Sequence, residues 1–566
     1  MKILILGGYG VFGGRLAELL SDIAEITIII AGRSWERAQE FCRTYRGETS
    51  VEPLQLDRIE LSERIGGVSP DLVIDASGPF QNYADNRYTV VEACIGAGVP
   101  YLDLADGSDF AVGISQFDEA AKKAGVFVLS GVSSFPVLTA AVVRELSHDM
   151  EPVSVTGGIA PSPYAGIGLN VMRAVIGYAG GPVRLMRNGR WGEAKGLTES
   201  KRFTVAPSGM LPLRNIHFSL VDVPDLQVIP KQYDTLQDIW IGAGPVPEVL
   251  HRMLNLLAKL RAALKLSSFG AFAPLFYRIL NLMKSGEHRG GMIIHVKGFE
   301  GGKPVERSWH LLAEGDDGSY IPSMAVEAII RKMLTGEKPA PGARPATDTL
   351  TLADYDKLFE KRTIYTGFRE KSDADDSLYK RILGSAFRDL PLPLQELHGE
   401  TGRHQWSGRA EVIRGTNPLA KLVGTLICFP EAGKEVPVTV TFKPEAGGER
   451  WTRNFGGKTF SSQQTEGQGR DKYLLLERFG AITIAVALLV KEERLYLIPR
   501  HWRFLGIPLP KILMPGGKTF ESEDNGDFCF DVEIKAPLIG LIVAYHGRLQ
   551  PADQKAEATE APSATS

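Results

Sequence analysis

Gly8-Tyr9-Gly10-Val11-Phe12-Gly13 has the spacing of a phosphate-binding glycine turn. Arg33 follows about 20 residues later, where a dinucleotide site reads the adenosine ribose. In such a turn the first glycine permits the tight bend and the second lets backbone approach a pyrophosphate. The third lets a helix pack closely on a strand. Phosphates then sit on unpaired N–H groups at the positive end of the helix dipole. An NAD-binding chain carries Asp or Glu for the ribose 2′-hydroxyl at the position of Arg33, whereas a guanidinium grips a 2′-phosphate through two parallel hydrogen bonds. Ser34 adds a hydroxyl donor. These residues predict NADP(H) in preference to NAD(H).

A lone GxGxxG says little; its neighbours make it informative. Lys2 to Leu6 reads as a buried parallel strand, Arg15 to Leu20 has helical spacing, and Ile26 to Ala31 is the next strand. Strand-like runs recur at 51–57, 72–76, 101–105 and 126–129. Helical spacing separates them over 35–46, 86–97 and 115–124. This alternation builds right-handed βαβ crossovers and a doubly wound parallel sheet, with its ligand crevice at the carboxyl ends of the strands. Gly7 to Gly13, Arg33, Asp57, Ser77-Gly78-Pro79 and Asp103 all fall at such ends.

The chain has 566 residues, too many for one core. Residues 1–150 form the expected Rossmann domain of an α/β fold, and 151–365 a second α/β domain for substrate, with helices returning to the first. The stretch 336–345 reads as a Pro/Gly connector. Residues 377–550 form a β-rich α+β domain, a curved antiparallel sheet or open barrel, and 551–566 a disordered tail. Gly-Gly-Lys-Thr-Phe occurs twice, at 456–460 and 516–520, as expected of two equivalent turns or an internal duplication. A net charge of −3 gives no global field toward nucleic acid, and four scattered cysteines suit a reducing compartment. With no targeting segment and no apolar run of membrane-spanning length, a cytoplasmic protein is expected.

Asp75 to Phe80, Val91 to Gly98, Tyr101 to Asp106 and Ser130 to Pro136, in this order and spacing, resemble the saccharopine dehydrogenase family. The resemblance covers the first quarter of the chain clearly and extends more weakly to about residue 360. The segment from 377 is similar to a domain of uncharacterised function sometimes fused to such reductases. The resemblance implies hydride transfer between NADP(H) and a C=N, C=O or enoyl C=C acceptor. It implies that Gly8, Gly10 and Gly13 bind pyrophosphate and that Arg33 and Ser34 bind the adenosine ribose end. It also implies that Asp57 sits near the adenine, and that Ser77, Gly78 and Pro79 lie against the nicotinamide ribose.

Hydride transfer needs orientation, electrostatics and, for a carbonyl or enoyl acceptor, a proton donor. Asp103 and Asp106, carboxylates three residues apart at a strand end, could anchor an ammonium group or move a proton; capping the next segment is their structural alternative. Ser133 and Ser134 could donate to a substrate carboxylate or cap a helix. His217 and Tyr164 lie in the substrate domain without a partner motif. No triad and no metal-ligand spacing is present. Over 249–284, Leu250, Met253, Leu254, Leu257, Leu260 and Leu264 share one helical face, with Arg252, Lys259, Arg261 and Lys265 on others. Such a stripe packs on its own domain, or it lies on a membrane and points to a lipid-like substrate. Arg403, Trp406, Arg409 and Arg414, like Arg450, Trp451 and Arg453, could bind an anion or simply face solvent. The alternatives to a small-molecule enzyme are a non-catalytic NADP(H) sensor, in which the third domain contacts a partner, and a lipid-associated scaffold. A homodimer is left open.

Overall fold

Ile3, Leu4, Ile5 and Leu6 offer water nothing, and in the computed structural model they lie at most 2% exposed in the middle of a parallel sheet. The structure describes residues 1–83, 87–166, 168–244, 247–266, 268–282, 286–371, 373 and 375–552. The expected tail at 553–566 and the residues Asn86, Met283 and Lys284 of two expected helices lie outside them. Two units result, one of residues 1–205 with 216–367, the other of 206–215 with the chain from 368.

The first unit begins with β1 (Lys2–Leu6), β2 (Thr27–Gly32), β3 (Ser50–Gln55), β4 (Leu72–Asp75), β5 (Tyr101–Asp103) and β6 (Phe127–Ser130). Their order across the sheet is 3-2-1-4-5-6, all parallel, which places the point where the strand order reverses between β1 and β4. Helix α1 (Val11–Leu19) and helix α2 (Trp35–Thr44) make the first two crossovers. The expected connector at 336–345 is corrected in part: Gly342–Pro345 is a seventh parallel strand beside β6. Its proline sits at the strand end on the sheet's outer edge, where no ladder hydrogen bond is lost.

A second, mixed sheet of seven strands follows. Glu151–Ala160 lies at its middle, parallel to Asp238–Ala243 and antiparallel to Arg289–Glu300. The long helical region resolves into Glu248–Leu264 and Ala273–Leu282, broken by a short turn at Phe269–Phe272. The leucine stripe is divided: Leu250, Leu254 and Leu257 are half-buried, and Leu254 packs against the cluster of Met172 and Ile176. Met253, Leu260 and Leu264 are 43–64% exposed, while His251, Asn255 and Ala258 are buried. Polar contacts fix that rotation. Asn255 donates to Leu197 O and Ser219 Oγ, and Arg261 donates to the carbonyls of Gly177 and Ala179.

The second unit is a closed barrel, where an open one was expected. Of eleven described antiparallel strands between His404 and Pro551, ten close a ring in chain order; Ile482–Lys491 pairs with Arg494–Phe504, the last strand pairs with the first, and the two-residue Ile507–Pro508 folds back on Arg494–Phe504. Phe442, Trp451, Phe455, Phe460 and Phe528 fill much of the interior. The two Gly-Gly-Lys-Thr-Phe segments differ in geometry. The first forms a hairpin turn between Gly448–Phe455 and Lys458–Glu466, with Gly456 and Gly457 at φ 55° and 92°. In the second, Gly516 bridges to Lys535 ahead of the strand Thr519–Asp524.

Phe442 is 1% exposed, its ring 4.3 Å from His404 and 4.6 Å from Trp451. Phe442→Ala should lower barrel stability by about 3–5 kcal/mol, read as a shift of the urea midpoint. A shift under about 1 kcal/mol would mean that the interior is not packed around this ring.

Candidate active site

The chain turns from β1 into α1 through Gly7, at φ 75°, a backbone conformation L side chains rarely adopt. A Cβ on Gly13 would lie 2.5 Å from Gly7 O, and one on Gly10 2.9 Å from the same atom. The loop therefore closes only with glycine at these places. No side chain caps α1, so its first-turn N–H groups remain for a ligand, and the residues present fit a dinucleotide pyrophosphate. This turn opens into a cleft of about 1180 Å³ at the carboxyl ends of the Rossmann strands, walled opposite by the second sheet and the helix Glu248–Leu264.

Gly10, Val11, Phe12, Arg33, Asp57, Ser77, Gly78 and Pro79 all line the cleft, as does Tyr9. Gly8 is buried behind the loop, where a Cβ would meet Ile30 at 3.0 Å. Gly13 serves by letting α1 approach. Tyr9 packs across Gly32, accepts a hydrogen bond from Ser34 N at 3.0 Å and carries the Arg37 guanidinium over its ring at 4.7 Å. Arg58 lies 3.5 Å over Tyr83. Arg33, Arg37 and Arg58 all line this cleft. Arg37 and Arg58 were not legible from motif spacing; they follow a strand end by a few residues each, and only the sheet order brings them together. Ser34 is used as the N-cap of α2, accepting from Arg37 N. Asp57 caps the next turn in a reciprocal box with Glu60.

The catalytic candidates separate. Asp103 is fully buried and does not line the cleft; its Oδ1 accepts from Ala105 N, Gly131 N and Ser130 Oγ at 2.8–2.9 Å. Burial pushes its carboxyl up to about 7 against those three donors. Its neighbour Asp75 holds Ser77 through N and Oγ, and Ser77 Oγ meets Tyr83 OH at 2.8 Å. Asp106 does line the cleft, half-buried, and accepts from Gln81. Ser133 and Ser134 line it also, Ser134 buried. His217 bonds Asn255, and Tyr164 stacks near His288; neither reaches the cleft.

Sequence reasoning missed three polar residues in the cleft. Asp222 accepts from Ser108 Oγ at 2.6 Å, and burial, helped by Asp109 and Asp106, pushes its carboxyl up to about 6. Tyr178, whose hydroxyl burial raises far above its ordinary range, lines the same region. His251 is 2% exposed, with neither ring nitrogen hydrogen-bonded; burial and the neighbouring His217 push it down to about 4. None stands in a motif, and Asp222 comes to Asp106 only through the second sheet. Around them the walls are apolar, with Met172, Val175, Leu197, Leu250, Leu254 and Met292.

Residues 3–129 match the family of the saccharopine dehydrogenase NADP binding domain, and residues 390–549 match a domain of unknown function, DUF4166. By the first match the N-terminal segment is an NADP-binding domain of the saccharopine dehydrogenase type, and the chain is an NADP-dependent oxidoreductase. No curated protein matches the chain. Among solved structures, saccharopine dehydrogenase (L-Glu forming) from Saccharomyces cerevisiae is similar at 13% identity and TM-score 0.47, over 66% of this chain and 100% of that one. Amine dehydrogenase from Mycobacterium smegmatis is similar at 11% identity and TM-score 0.33, over 60% and 94%. An engineered D-amino acid dehydrogenase bound to NADP+ is similar at 13% and 0.31, over 63% and 98%.

Two outcomes check this site. Arg33→Asp should weaken NADPH binding about 10–100-fold, the loss of a charged bidentate contact, and leave NADH unchanged or tighter in titration calorimetry. An unchanged ratio of the two affinities would remove Arg33 from the phosphate site. For Asp103, the folded chain binds the proton more tightly than the unfolded one, whose carboxyl has the ordinary value of 3.8. Its contribution to stability is therefore full below about pH 4 and declines as pH rises toward 7. Asp103→Asn should abolish that part of the decline, seen as a wild-type minus variant unfolding free energy that falls across this window. A flat difference would show that Asp103 does not titrate with folding.

Proposed function

We propose that the chain uses NADPH to reduce the C=O or conjugated C=C of a neutral, apolar, lipid-like small molecule, with Asp222 as proton donor. The observation that carries this reading is the substrate half of the cleft, walled by aliphatic side chains with no cation placed for a carboxylate among the described residues. Of its arginines, Arg33, Arg37 and Arg58 gather at the adenosine end. Arg15 is spent on the carbonyls of Ala165 and Ser319, and Arg173 on Asn170. A 2-oxo acid or an amino acid needs a guanidinium fork, and here it would face Asp106 and Asp222 instead. NADPH, when bound, supplies the hydride. The protein supplies a dry apolar wall that orients the acceptor, and a carboxyl at Asp222 that can hold a proton near neutrality and release it to the reduced product. Ser108 Oγ donates to Asp222 Oδ1, which fixes the carboxyl group at the cleft wall. Leu250, His251 and Leu254 turn one side of the helix Glu248–Leu264 to the cleft, while Val249, Met253 and Leu256 on its other side are over half exposed. That outward face supports a lipid-like substrate and a peripheral contact with lipid through 249–284. No described helix is long and apolar enough to cross a membrane. A cytoplasmic location belongs to the same reading, supported by four free cysteines.

With NADPH, enoyl thioesters and apolar ketones should be turned over and amine/2-oxo acid pairs should not. Asp222→Asn should lower kcat by about 10²–10⁴ with NADPH affinity intact, and it should remove the fall in kcat/KM expected as pH rises through about 6. Turnover only with amine/2-oxo acid pairs, or an unaltered pH profile in the variant, would overturn the reading.

A further inference from the structure

In a ten-stranded antiparallel meander the connections alternate between the two ends of the barrel. Residues 415–432, 456–457, 480–481, 505–518 and 537–539 emerge at one end; 446–447, 467–474, 492–493 and 525–526 emerge at the other. Among these connections, exposed large apolar side chains of the described residues are confined to the first end. The helix Pro418–Leu426 buries Ala420 and Gly424 and turns Leu419, Leu422 and Leu426 outward at 56–75% exposure. The 505–518 connection exposes Leu505, Ile507 and Ile512 at 65–80%, and Leu538 at the last hairpin is 96% exposed. None of the four opposite connections exposes a large apolar side chain among the described residues.

Charge at the apolar end is mainly positive: its connections carry exposed Lys421, Lys511 and Lys518 and one carboxylate, Glu431, which pairs with Lys458. The opposite connections mix signs, with Arg470 and Lys472 beside Asp471, Glu492 and Glu493. The interior cavity, about 160 Å³, is lined toward the apolar end by Phe429, Phe455, Phe460 and Pro515. Apolar loop tips set among lysines match the hydrocarbon and the negative field of an anionic bilayer surface.

We propose that this end of the barrel docks on an anionic lipid bilayer, inserting the helix Pro418–Leu426 and the 505–518 and 537–539 tips while the lysines meet the headgroups. The inference rests on the barrel alone and not on the substrate reading above. The test is flotation of the full chain with phosphatidylcholine vesicles and with vesicles containing about one-third phosphatidylserine, at low and high salt. Wild type should bind the anionic vesicles at least tenfold more tightly, less so at high salt, and replacing each lysine by glutamine should cost roughly fivefold. Leu422→Ser/Ile512→Ser/Leu538→Ser should lose binding by tenfold or more with thermal unfolding and NADPH affinity unchanged, since these side chains are exposed. Met253→Ser/Leu256→Ser/Leu260→Ser controls for the exposed helix of the other unit. The proposal fails if wild type ignores anionic vesicles, or if the barrel variant binds them as wild type does. It also fails if that variant changes only a monomer–dimer equilibrium in sedimentation, which would make this end an interface between copies.

Discussion

Two buried carboxylates, side by side at the ends of neighbouring parallel strands, hold the floor of the cleft. Asp75 and Asp103 stand in register on β4 and β5. Through side chain and carbonyl, Asp75 fixes Ser77 and receives Leu104 N, while Asp103 fixes Ala105, Ser130 and Gly131 and receives Val132 N. The turns after three adjacent strands are thereby tied to one polar pair in an otherwise apolar sheet. Each group costs desolvation, which burial reports as raised carboxyl affinities for protons. That cost is offset by donors that would themselves be orphaned if the acids were removed. Ser77, Gly78, Ser133 and Ser134 can line a cleft because this pair settles where their backbones run.

The division of labour within the cleft follows from where charge is tolerated. Guanidinium groups on the cleft lining remain exposed or stack on Tyr9 and Tyr83. Elsewhere in it, the groups able to exchange a proton are carboxyls and a histidine whose affinities burial moves toward the neutral form.

The sequence was most legible where a local rule determines structure. Glycine spacing, strand–helix alternation and Arg33 led directly to the parallel sheet, the crevice and the nucleotide, because backbone sterics and phosphate chemistry leave few alternatives. Legibility failed where tertiary contact decides. The leucine stripe of Glu248–Leu264 had the stronger apolar pattern, yet Asn255 and Arg261, with fixed hydrogen-bond partners, set the rotation of the helix. Asp103 read as a reactive strand-end acid and is a backbone clamp, whereas Asp222, in no motif, faces the cleft. Closure of the barrel depends on pairing between strands more than a hundred residues apart, and local alternation is silent on that.

The strand Gly342–Pro345 gives the first unit an unusual genealogy of parts. The nucleotide-binding sheet does not end before the second sheet begins; the chain leaves after β6, builds the substrate wall, and returns to lay its outermost strand. Asp118 on a Rossmann helix accepts from Ala343 N, so the returning segment is bonded to helix as well as sheet. The substrate wall is thus an insertion held at both ends by one domain, not an appendage hung from it. A tether at both ends restricts hinge opening far more than one would, and it makes the cleft's width a property of the Rossmann core itself.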